Sequence, residues 1–430
     1  MKTDKVCLRK QPIRRQTMQG YSIRRALNFP EHKITQIINQ TEQEIHLRVE
    51  PYKRKAFICS SCGNVHEGMA RGITEVVVED RNLIDRRVYL HVIKRRRECP
   101  KDGQIHVEAI EWLKPRSRVT NRFAREVYRL TAITTNTEAG WYLGLNDERI
   151  YRIDREILEE LFQKELEPPP TAKNISVDEV AWLKRHRYLT NVIDTDIKKV
   201  IWNDQGRKAE VLDRYYKGIG VENCAKIESV ALDGARTYIS STSEHATKAL
   251  IVYDKFHIIQ KLNMAVDTVR RQELRKARDA KRPDLVEMMN CNQRFILLKN
   301  KVNLTEKQSE HLARLCEVNE PIFKAMLLKE SFQEVYLYND DVKAKECLEA
   351  WIQQALSSGI EVFMALGESF RDKMQFILNW FKKKVSSAIS EGFNNKIKRL
   401  KRMAYGYRDV RYFLLKIHQH CGLLNPRLLH

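Results

Sequence analysis

The sequence predicts a multidomain α/β protein in which a small β domain and a helix-turn-helix precede a mixed sheet with a long helical insertion. Three observations predict it. A CxxCG motif lies among strand-like runs near the N-terminus, strand-like runs alternate with helical ones in the middle, and residues 262–384 have helical periodicity throughout. With 430 residues and 43% apolar content, the chain is long enough for about two to four domains with cores of their own.

The charge of the chain indicates a polyanionic partner. Lysine and arginine outnumber aspartate and glutamate by 77 to 56, which gives a net charge of +21 and an isoelectric point near 9.5. Each phosphate that a basic side chain neutralises releases counterions, so this balance favours nucleic acid. An anionic membrane or a ribosomal surface is the alternative. Residues 1–30 are predicted to be a basic N-terminal extension.

No targeting or membrane segment is predicted. No run approaches the roughly 18 uninterrupted apolar residues of a membrane helix, and the basic N-terminus lacks the apolar stretch of a secretion signal. The nine cysteines are odd in number and mostly isolated, which is typical of a reduced, intracellular protein. We therefore expect a cytoplasmic protein.

Residues 31–113 are predicted to form a zinc-ribbon-like domain. The CxxCG knuckle directs two thiolates to one point, and a third cysteine follows after two strand-like runs. A four-coordinate zinc site would have a second CxxC there, but an aspartate stands in place of the fourth cysteine. The alternative is a ribbon held by its strands without Zn²⁺. The predicted ligands are Cys59, Cys62, Cys99 and Asp102, with His66 and His106 as further candidates for the fourth position.

Residues 114–167 are predicted to form a helix-turn-helix domain. A helical run that ends near Gly144 is followed by a second helix capped by Asn146, whose apolar residues recur at helical spacing. This order is typical of DNA-binding helix-turn-helix proteins, although an ordinary helical hairpin has the same pattern. Pro168–Pro170 ends the domain. Three arginines at intervals of three residues are expected to bind DNA from one side of the second helix: Arg149, Arg152 and Arg155.

Residues 168–261 are predicted to form the first part of a mixed sheet. Three short strands, the first of which contains Asp178, have the pattern of an antiparallel meander. Two further apolar strands alternate with helices in the pattern of a parallel sheet, and they are followed by Asp233 and Asp254. Open α/β sheets build their sites at the carboxyl ends of such strands.

The remainder of the chain is predicted to be helical. Residues 262–384 form a helical insertion domain, because glycine and proline are sparse and the period is helical. Residues 385–430 complete the sheet domain with a helix at Ile389–Arg402. The apolar residues of this helix share one face, and a carboxylate lies among amides and cations on the other: Glu391, Asn394, Asn395, Lys398 and Arg402. The alternative is an ordinary solvated face.

The carboxylates predict phosphoryl transfer with two divalent cations, Mg²⁺ or Mn²⁺. One cation activates the attacking oxygen and the other stabilises the leaving oxygen, and such hard ions prefer oxygen ligands. Asp178, Asp233 and Glu391 are the predicted ligands, and Asp254 competes with Asp233 for the second position. His257 lies three residues after Asp254, where the two could jointly contact a phosphate or a base. Neither a Ser/His/Asp order nor a phosphate-binding glycine-rich loop appears.

Several motifs resemble bacterial insertion-sequence transposases of the DDE type, most closely the ISL-three family. They are ISVDE around Asp178, the DG of ALDGA, IVYDKFH, and EGFNNKIKRLKRMAYGYRD near the C-terminus, within a similarity that covers most of the chain. The resemblance implies a ribonuclease-H-like catalytic domain in two parts, 168–261 and 385–430, with the helical insertion before the last acid. It also implies Mg²⁺-dependent strand cleavage and transfer at transposon ends.

The resemblance also assigns roles by position. Asp178 is the first acid, Asp233 the second and Glu391 the last, while Asp254 and His257 match a D-x-x-H element. The ribbon departs from the family, because an aspartate replaces one of its cysteines.

We therefore predict a DNA transposase that binds the terminal inverted repeats of an insertion sequence and catalyses Mg²⁺-dependent cleavage and strand transfer. The alternatives are a metal-dependent nuclease or resolvase of the same fold and a catalytically inactive DNA-binding regulator. The expected partners are double-stranded DNA, at the transposon ends and the target, and a second copy in a dimer or larger synaptic assembly. Such a bacterial protein would be associated with the nucleoid. Residues near the last acid are expected to hold DNA: Asn394, Asn395, Lys396, Lys398, Arg399, Lys401 and Arg402.

Overall fold

The computed structural model describes residues 27–427 except 68–69, 184–186, 291–293, 300, 339 and 385–387. Most of the predicted basic extension, residues 1–26, lies outside the described residues. The chain divides into two compact units, one up to Ile157 and one from Leu158. No helix in the described part of the chain combines the length and the apolar character needed to cross a membrane.

The first unit contains a five-stranded sheet. Its order is β1-β2-β4-β3, with β5 paired to β4, and all pairs are antiparallel except β2 with β4. The predicted alternation around Ile45–Val49 is confirmed, because every second side chain of that strand is buried. These residues pack with those of β4 into one apolar core. The strands are β1 (His32–Gln40), β2 (Glu44–Pro51), β3 (Ile73–Leu83), β4 (Arg86–Glu98) and β5 (Ile105–Val107).

Three helices follow the strands: α1 (Asn121–Thr131), α2 (Asn136–Leu143) and α3 (Asp147–Glu165). A capping box at Thr135 begins α2, and Gly144 ends it at φ +68°, a left-handed conformation that glycine adopts without strain. The predicted cap of the next helix is confirmed, since Asn146 Oδ1 accepts the N–H of Arg149 at 2.8 Å. The two helices and the short turn between them are therefore present as predicted.

The second unit is built on a mixed sheet of order β10-β9-β6-β7-β8. The three strands that come first in the chain, β6, β7 and β8, form the predicted antiparallel meander. β9 lies parallel to β6, and β10 lies parallel to β9, as the βαβ pattern predicts. The strands are β6 (Asn174–Leu183), β7 (Arg187–Asp194), β8 (Lys199–Gln205), β9 (Ser229–Leu232) and β10 (Leu250–Tyr253). The helices between them are α4 (Ala209–Ile219), α5 (Val221–Cys224) and α6 (Arg236–His245).

The chain after β10 is helical, as its periodicity predicts. Phe332, Trp351 and Phe370 form the centre of its core, with ring centroids 4.8 to 5.4 Å apart. This core reaches the sheet, because it includes Tyr253 of β10. In addition, Asn379 Nδ2 donates to the carbonyl of Ile251 in β10 at 2.8 Å. The helices are α7 (Lys255–Asp279), α8 (Pro283–Met288), α9 (Arg294–Leu298), α10 (Glu306–Val318), α11 (Glu320–Val335), α12 (Asp341–Leu356), α13 (Glu361–Asp372) and α14 (Met374–Lys382).

Two C-terminal helices, α15 (Ala388–Met403) and α16 (Val410–Cys421), pack on the sheet. The predicted apolar face of α15 is confirmed, because Ile397 and Leu400 are buried in one cluster with Val180 of β6 and Phe413 of α16. Burial of this face fixes the helix along the strand that carries Asp178.

Candidate functional site

Three aspartates lie at one level of the sheet: Asp178 within β6, Asp233 directly after β9 and Asp254 directly after β10. Ser176 of β6 pairs with Ala231 of β9, so Asp178 and Asp233, each two residues further on, occupy the same register position. The N–H of Asp254 donates to the carbonyl of Leu232 at 2.9 Å, which places Asp254 directly after the β9–β10 pairing. The sheet therefore brings together the three aspartates that the sequence singled out.

The turns after the strands hold these aspartates in place. Asp233 Oδ1 accepts the N–H of Ala235 at 2.8 Å. The intervening Gly234 has φ +81°, and a Cβ atom there would lie 2.6 Å from Cζ of Tyr253, so only glycine fits. Asp254 is the N-cap of α7, since its Oδ1 accepts the N–H of Phe256 at 2.9 Å. Such bonds restrict the side-chain rotamers.

His257 connects two of the aspartates. Its Nε2 lies 3.6 Å from Asp254 Oδ2 and 3.9 Å from Asp178 Oδ2. The geometry follows from the cap: Asp254 begins α7, and the residue three positions later points back towards the same end of the sheet.

Asp178 lies in an environment that disfavours its charged form. Burial raises its pKa, the charge of His257 and the Glu179 N–H lower it, and the carboxylates of Asp233 and Asp254 raise it further. A cluster of carboxylates that repel one another is an environment in which a bound cation is stabilising. The donor set, made of carboxylate oxygens, fits a hard divalent ion.

Polar contacts dock α15 along β6. Ser390 and Ser176 share a buried hydrogen bond of 2.7 Å, and Lys401 Nζ donates to the carbonyl of Ala181 at 3.2 Å. Between these contacts, Asn394 Nδ2 donates to Asp178 Oδ2 at 2.8 Å. The sequence placed Asn394 on the correct face of the helix but gave no indication that it contacts the first acid.

Glu391 lies beside Ser390 and one turn before Asn394, yet its side chain is exposed. It forms no hydrogen bond or ion pair with any residue the structure describes. Contacts therefore join four of the predicted residues: Asp178, Asp254, His257 and Asn394. Asp233 belongs to the group by its register in the sheet. Glu391 lies on the adjoining helix and does not contact them.

The predicted basic residues of α15 fall into two groups. Lys396 donates to the carbonyl of His420 and Lys401 to that of Ala181, so both are engaged by the fold. The remaining polar residues are exposed, and among the described residues they form no contacts of their own: Asn395, Lys398, Arg399 and Arg402.

A family model described as a transposase, of the DDE type and the ISL-three (ISL3) class, matches residues 175–417, more than half of the chain. The chain belongs to this transposase family. The match includes Asp178, Asp233, Asp254, His257 and Glu391.

The transposase is similar along most of its length to proteins of named insertion sequences. It is 29% identical over 409 residues to the transposase for insertion sequence element IS1001 of Bordetella parapertussis, which covers 93% of this chain and 95% of that protein. It is 26% identical over 382 residues to the transposase for insertion sequence element IS1557 of Mycobacterium tuberculosis, which covers 84% of this chain and 85% of that protein.

The first unit of the transposase contains a group of four possible metal ligands: Cys59, Cys62, His66 and Cys99. Their ligand atoms all lie within 4.8 Å of one another. Cys62 Sγ is 3.1 Å from His66 Nε2 and 3.7 Å from Cys99 Sγ. Burial raises the pKa of the Cys59 thiol, but the N–H groups of Cys62 and Ser61 outweigh it and lower that pKa overall. Three thiols and an imidazole are a donor set that suits Zn²⁺.

The fourth member of this group is His66, and the predicted ligand Asp102 lies outside it. Asp102 Oδ2 is 2.8 Å from His106 Nε2, and its Oδ1 accepts the N–H of Gln104 at 2.9 Å. Asp102 therefore shapes the turn after Cys99. His66 was one of the further candidates for the fourth position, and its place four residues after Cys62 is the signal in the sequence that could have identified it.

The three predicted arginines of α3 differ in their surroundings. Arg149 forms a 2.7 Å ion pair with the buried Glu79 of β3. Arg155 donates to the hydroxyl of Tyr151 at 2.8 Å. Only Arg152 is well exposed, at 67%, and its partner Glu148 is exposed as well. Spacing of three residues placed the arginines together but could not distinguish these environments.

Two aromatic side chains at the end of α2 were not predicted as functional residues from the sequence. Trp141 is 85% exposed and Tyr142 is 65% exposed, next to the Gly144 turn. Large exposed aromatic residues are typical of interaction surfaces. Their signal in the sequence was an aromatic pair beside the predicted turn.

Proposed function

We propose that this transposase binds the terminal inverted repeats of its insertion sequence and catalyses Mg²⁺-dependent DNA strand cleavage and strand transfer. The observation that carries the proposal is the register of Asp178, Asp233 and Asp254 at one end of the sheet, with α15 and its Glu391 docked beside them. Membership of the transposase family supports the same conclusion.

We further propose a ribonuclease-H-like arrangement for the catalytic domain, formed by residues 168–261 and 385–430 around the insertion at 262–384. Its support is the sheet order β10-β9-β6-β7-β8, an antiparallel meander extended by two parallel strands. The helices α15 and α16 return to the same sheet after the insertion.

Asp178, Asp233 and Glu391 are the residues that would hold divalent cations, Mg²⁺ or Mn²⁺, with Asp254 as the alternative to Asp233. Bound cations of this kind would activate the attacking oxygen and stabilise the leaving oxygen of a phosphodiester. Asp233 is preferred because it follows the middle one of the three parallel strands, whereas Asp254 is only 3% exposed and caps α7.

The neighbouring residues would orient the acids and the DNA. Asn394 holds Asp178 by its hydrogen bond, and His257 lies between Asp178 and Asp254, where it can hold a proton or contact a phosphate. The exposed cations Lys398, Arg399 and Arg402 would contact phosphates near Glu391.

The residues before the catalytic domain would read the transposon ends. We propose a zinc-ribbon-like domain at 31–113 and a helix-turn-helix domain at 114–167, with Arg152 as the best placed of the three arginines for DNA. Because two ends must be joined, we propose a dimer or a larger synaptic assembly.

An assay with a labelled duplex that carries one end of the element, a target plasmid and Mg²⁺ tests the function. Joined products support the transposase. Cleavage without joining identifies a nuclease or resolvase, and binding alone identifies an inactive regulator.

A first prediction concerns the metal group of the first unit. We expect His66→Ala to weaken Zn²⁺ binding more than about tenfold, because it removes one of four ligands. Asp102→Asn is the matched control and keeps the wild-type zinc content. Zinc per chain is measured by atomic emission after dialysis against a chelator. Equal losses in the two variants contradict the assignment of His66.

A second prediction separates two arginines of α3. Arg152→Ala is expected to weaken binding of the terminal repeat about three- to tenfold without changing stability, because Arg152 is exposed. Arg149→Ala is expected to lower the free energy of unfolding by about 1–3 kcal/mol, because it leaves the buried Glu79 carboxylate without its partner. Gel-shift titrations and urea denaturation measure the two effects. The prediction fails if Arg149→Ala has wild-type stability.

A further inference from the structure

Two lysines of the helical chain after β10 meet at the ring of Tyr253: Lys261, in the first turns of α7, and Lys373, in the insertion. Lys261 of α7 donates to the Tyr253 hydroxyl, and its Nζ lies 5.1 Å from the centre of the ring. Lys373, between α13 and α14, has its Nζ 5.8 Å from the same centre. Gly234 packs directly on this ring. Residues 112 positions apart in the sequence are thus brought to the turn that carries Asp233.

Neither ammonium group forms an ion pair with a carboxylate in the described part of the chain. Lys261 contacts a neutral hydroxyl, and Lys373 Nζ donates to Ser369 Oγ at 3.2 Å. Burial lowers the pKa of both lysines, and the charge of Asp233 raises both. The charge of Lys373 also lowers the pKa of Lys261, while Arg236 lowers and Asp372 raises the pKa of Lys373. Two half-buried cations without a carboxylate partner are costly to hold together. This is the electrostatic arrangement of an anion site.

We propose that Lys261 and Lys373 bind a backbone phosphate of the DNA strand that lies beside Asp233. The proposal rests on the proposed function and extends it, because it gives the helical insertion a direct part in holding the strand to be cut. DNA presents one phosphate per nucleotide, and lysine binds phosphate as a point charge. Arg236, which is exposed and lies two residues after Gly234, is at the rim of the same turn, where it forms a 3.8 Å ion pair with Asp372.

The test uses the full-length protein with Lys261→Gln, Lys373→Gln and the double variant. Lys307→Gln is the matched control, because Lys307 is an exposed lysine of α10 in the same insertion and forms no contact with described residues. We expect each single change to slow cleavage of the labelled end duplex about tenfold and the double change about a hundredfold. Lys307→Gln is expected to cleave at the wild-type rate.

A neutral methylphosphonate, placed at one phosphate at a time around the cleavage point, identifies the contact. At one position the methylphosphonate is expected to lower the cleavage rate of the wild-type protein to about that of the double variant on unmodified DNA. The same methylphosphonate is expected not to lower the rate of the double variant further. Lys373→Arg, which keeps the charge, is expected to retain most of the rate.

Three results would overturn the proposal. The first is a double variant that cleaves as fast as Lys307→Gln. The second is that every methylphosphonate slows the double variant as much as it slows the wild-type protein. The third is that Lys373→Arg is as inactive as Lys373→Gln. If the wild-type protein cleaves no DNA, the proposed function fails separately. Binding of a precleaved duplex then still tests the phosphate site, because the sensitive methylphosphonate is expected to weaken binding by wild type but not by the double variant.

Discussion

Glu391→Gln is expected to lower the rate of strand cleavage at least about a thousandfold while leaving the affinity for the terminal repeat unchanged. The change removes one negative charge from a residue that would hold a cation but keeps the size of the side chain. Electrostatic stabilisation of this kind accounts for several kcal/mol in phosphoryl transfer. The exposed side chain forms no contact with described residues, so no loss of stability accompanies the change. Cleavage of a labelled end duplex in Mg²⁺ and a gel-shift titration measure the two quantities.

Glu368→Gln is the matched control for this experiment. Glu368 is also an exposed helical glutamate without a contact in the described part of the chain, but it lies on α13 in the insertion. We expect it to cleave and bind as wild type does. Strand transfer retained by Glu391→Gln would remove Glu391 from the proposed site.

Asp233→Asn and Asp254→Asn, compared in parallel, are expected to differ in the size of their effects. Asp233→Asn is expected to lower cleavage at least about a thousandfold, as for a residue that would hold a cation. Asp254→Asn is expected to lower it about ten- to a hundredfold, because asparagine preserves the cap of α7 while the charge beside His257 is lost. Thermal melting shows whether each variant is folded.

Cysteine variants distinguish a ligand from a positioning residue at these two positions. A thiolate is a softer donor than a carboxylate, and Mn²⁺ accepts it more readily than Mg²⁺ does. Cleavage by Asp233→Cys is therefore expected to recover in Mn²⁺, and cleavage by Asp254→Cys is not. Recovery at position 254 alone would assign the second acid to Asp254.

The sequence predicted the elements of the fold where local patterns decide them. A β-rich run in a three-strand meander predicted the strand that carries Asp178, and the βαβ pattern placed Asp233 and Asp254 at strand ends. The helical wheel of α15 placed Ile397 and Leu400 on the buried face. All of these depend on short-range periodicity, which packing in this protein reinforces.

Local patterns of this kind could not predict contacts between segments that are distant in the sequence. Helical periodicity cannot tell which strand Asn394 meets, so its bond to Asp178 was unforeseen. Spacing favoured Asp102 over His66 by analogy with paired CxxC motifs, whereas the fold of the knuckle decides which side chain reaches the thiols. Lys261 and Lys373 are too far apart in sequence for any local rule to associate them.

The helix α7 begins directly after Asp254 and extends away from the three aspartates. Its 25 residues form a rod about 37 Å long, whose first turn includes His257 and whose cap is Asp254. A tilt of about 5° around that cap moves the far end by about 3 Å, a displacement that a contact between protein surfaces readily imposes. Conversely, a contact that tilts the remote end of α7 would also change the angle at which His257 faces Asp178. We therefore expect that, in the proposed synaptic assembly, a contact at the remote end of α7 would change the geometry between His257 and Asp178.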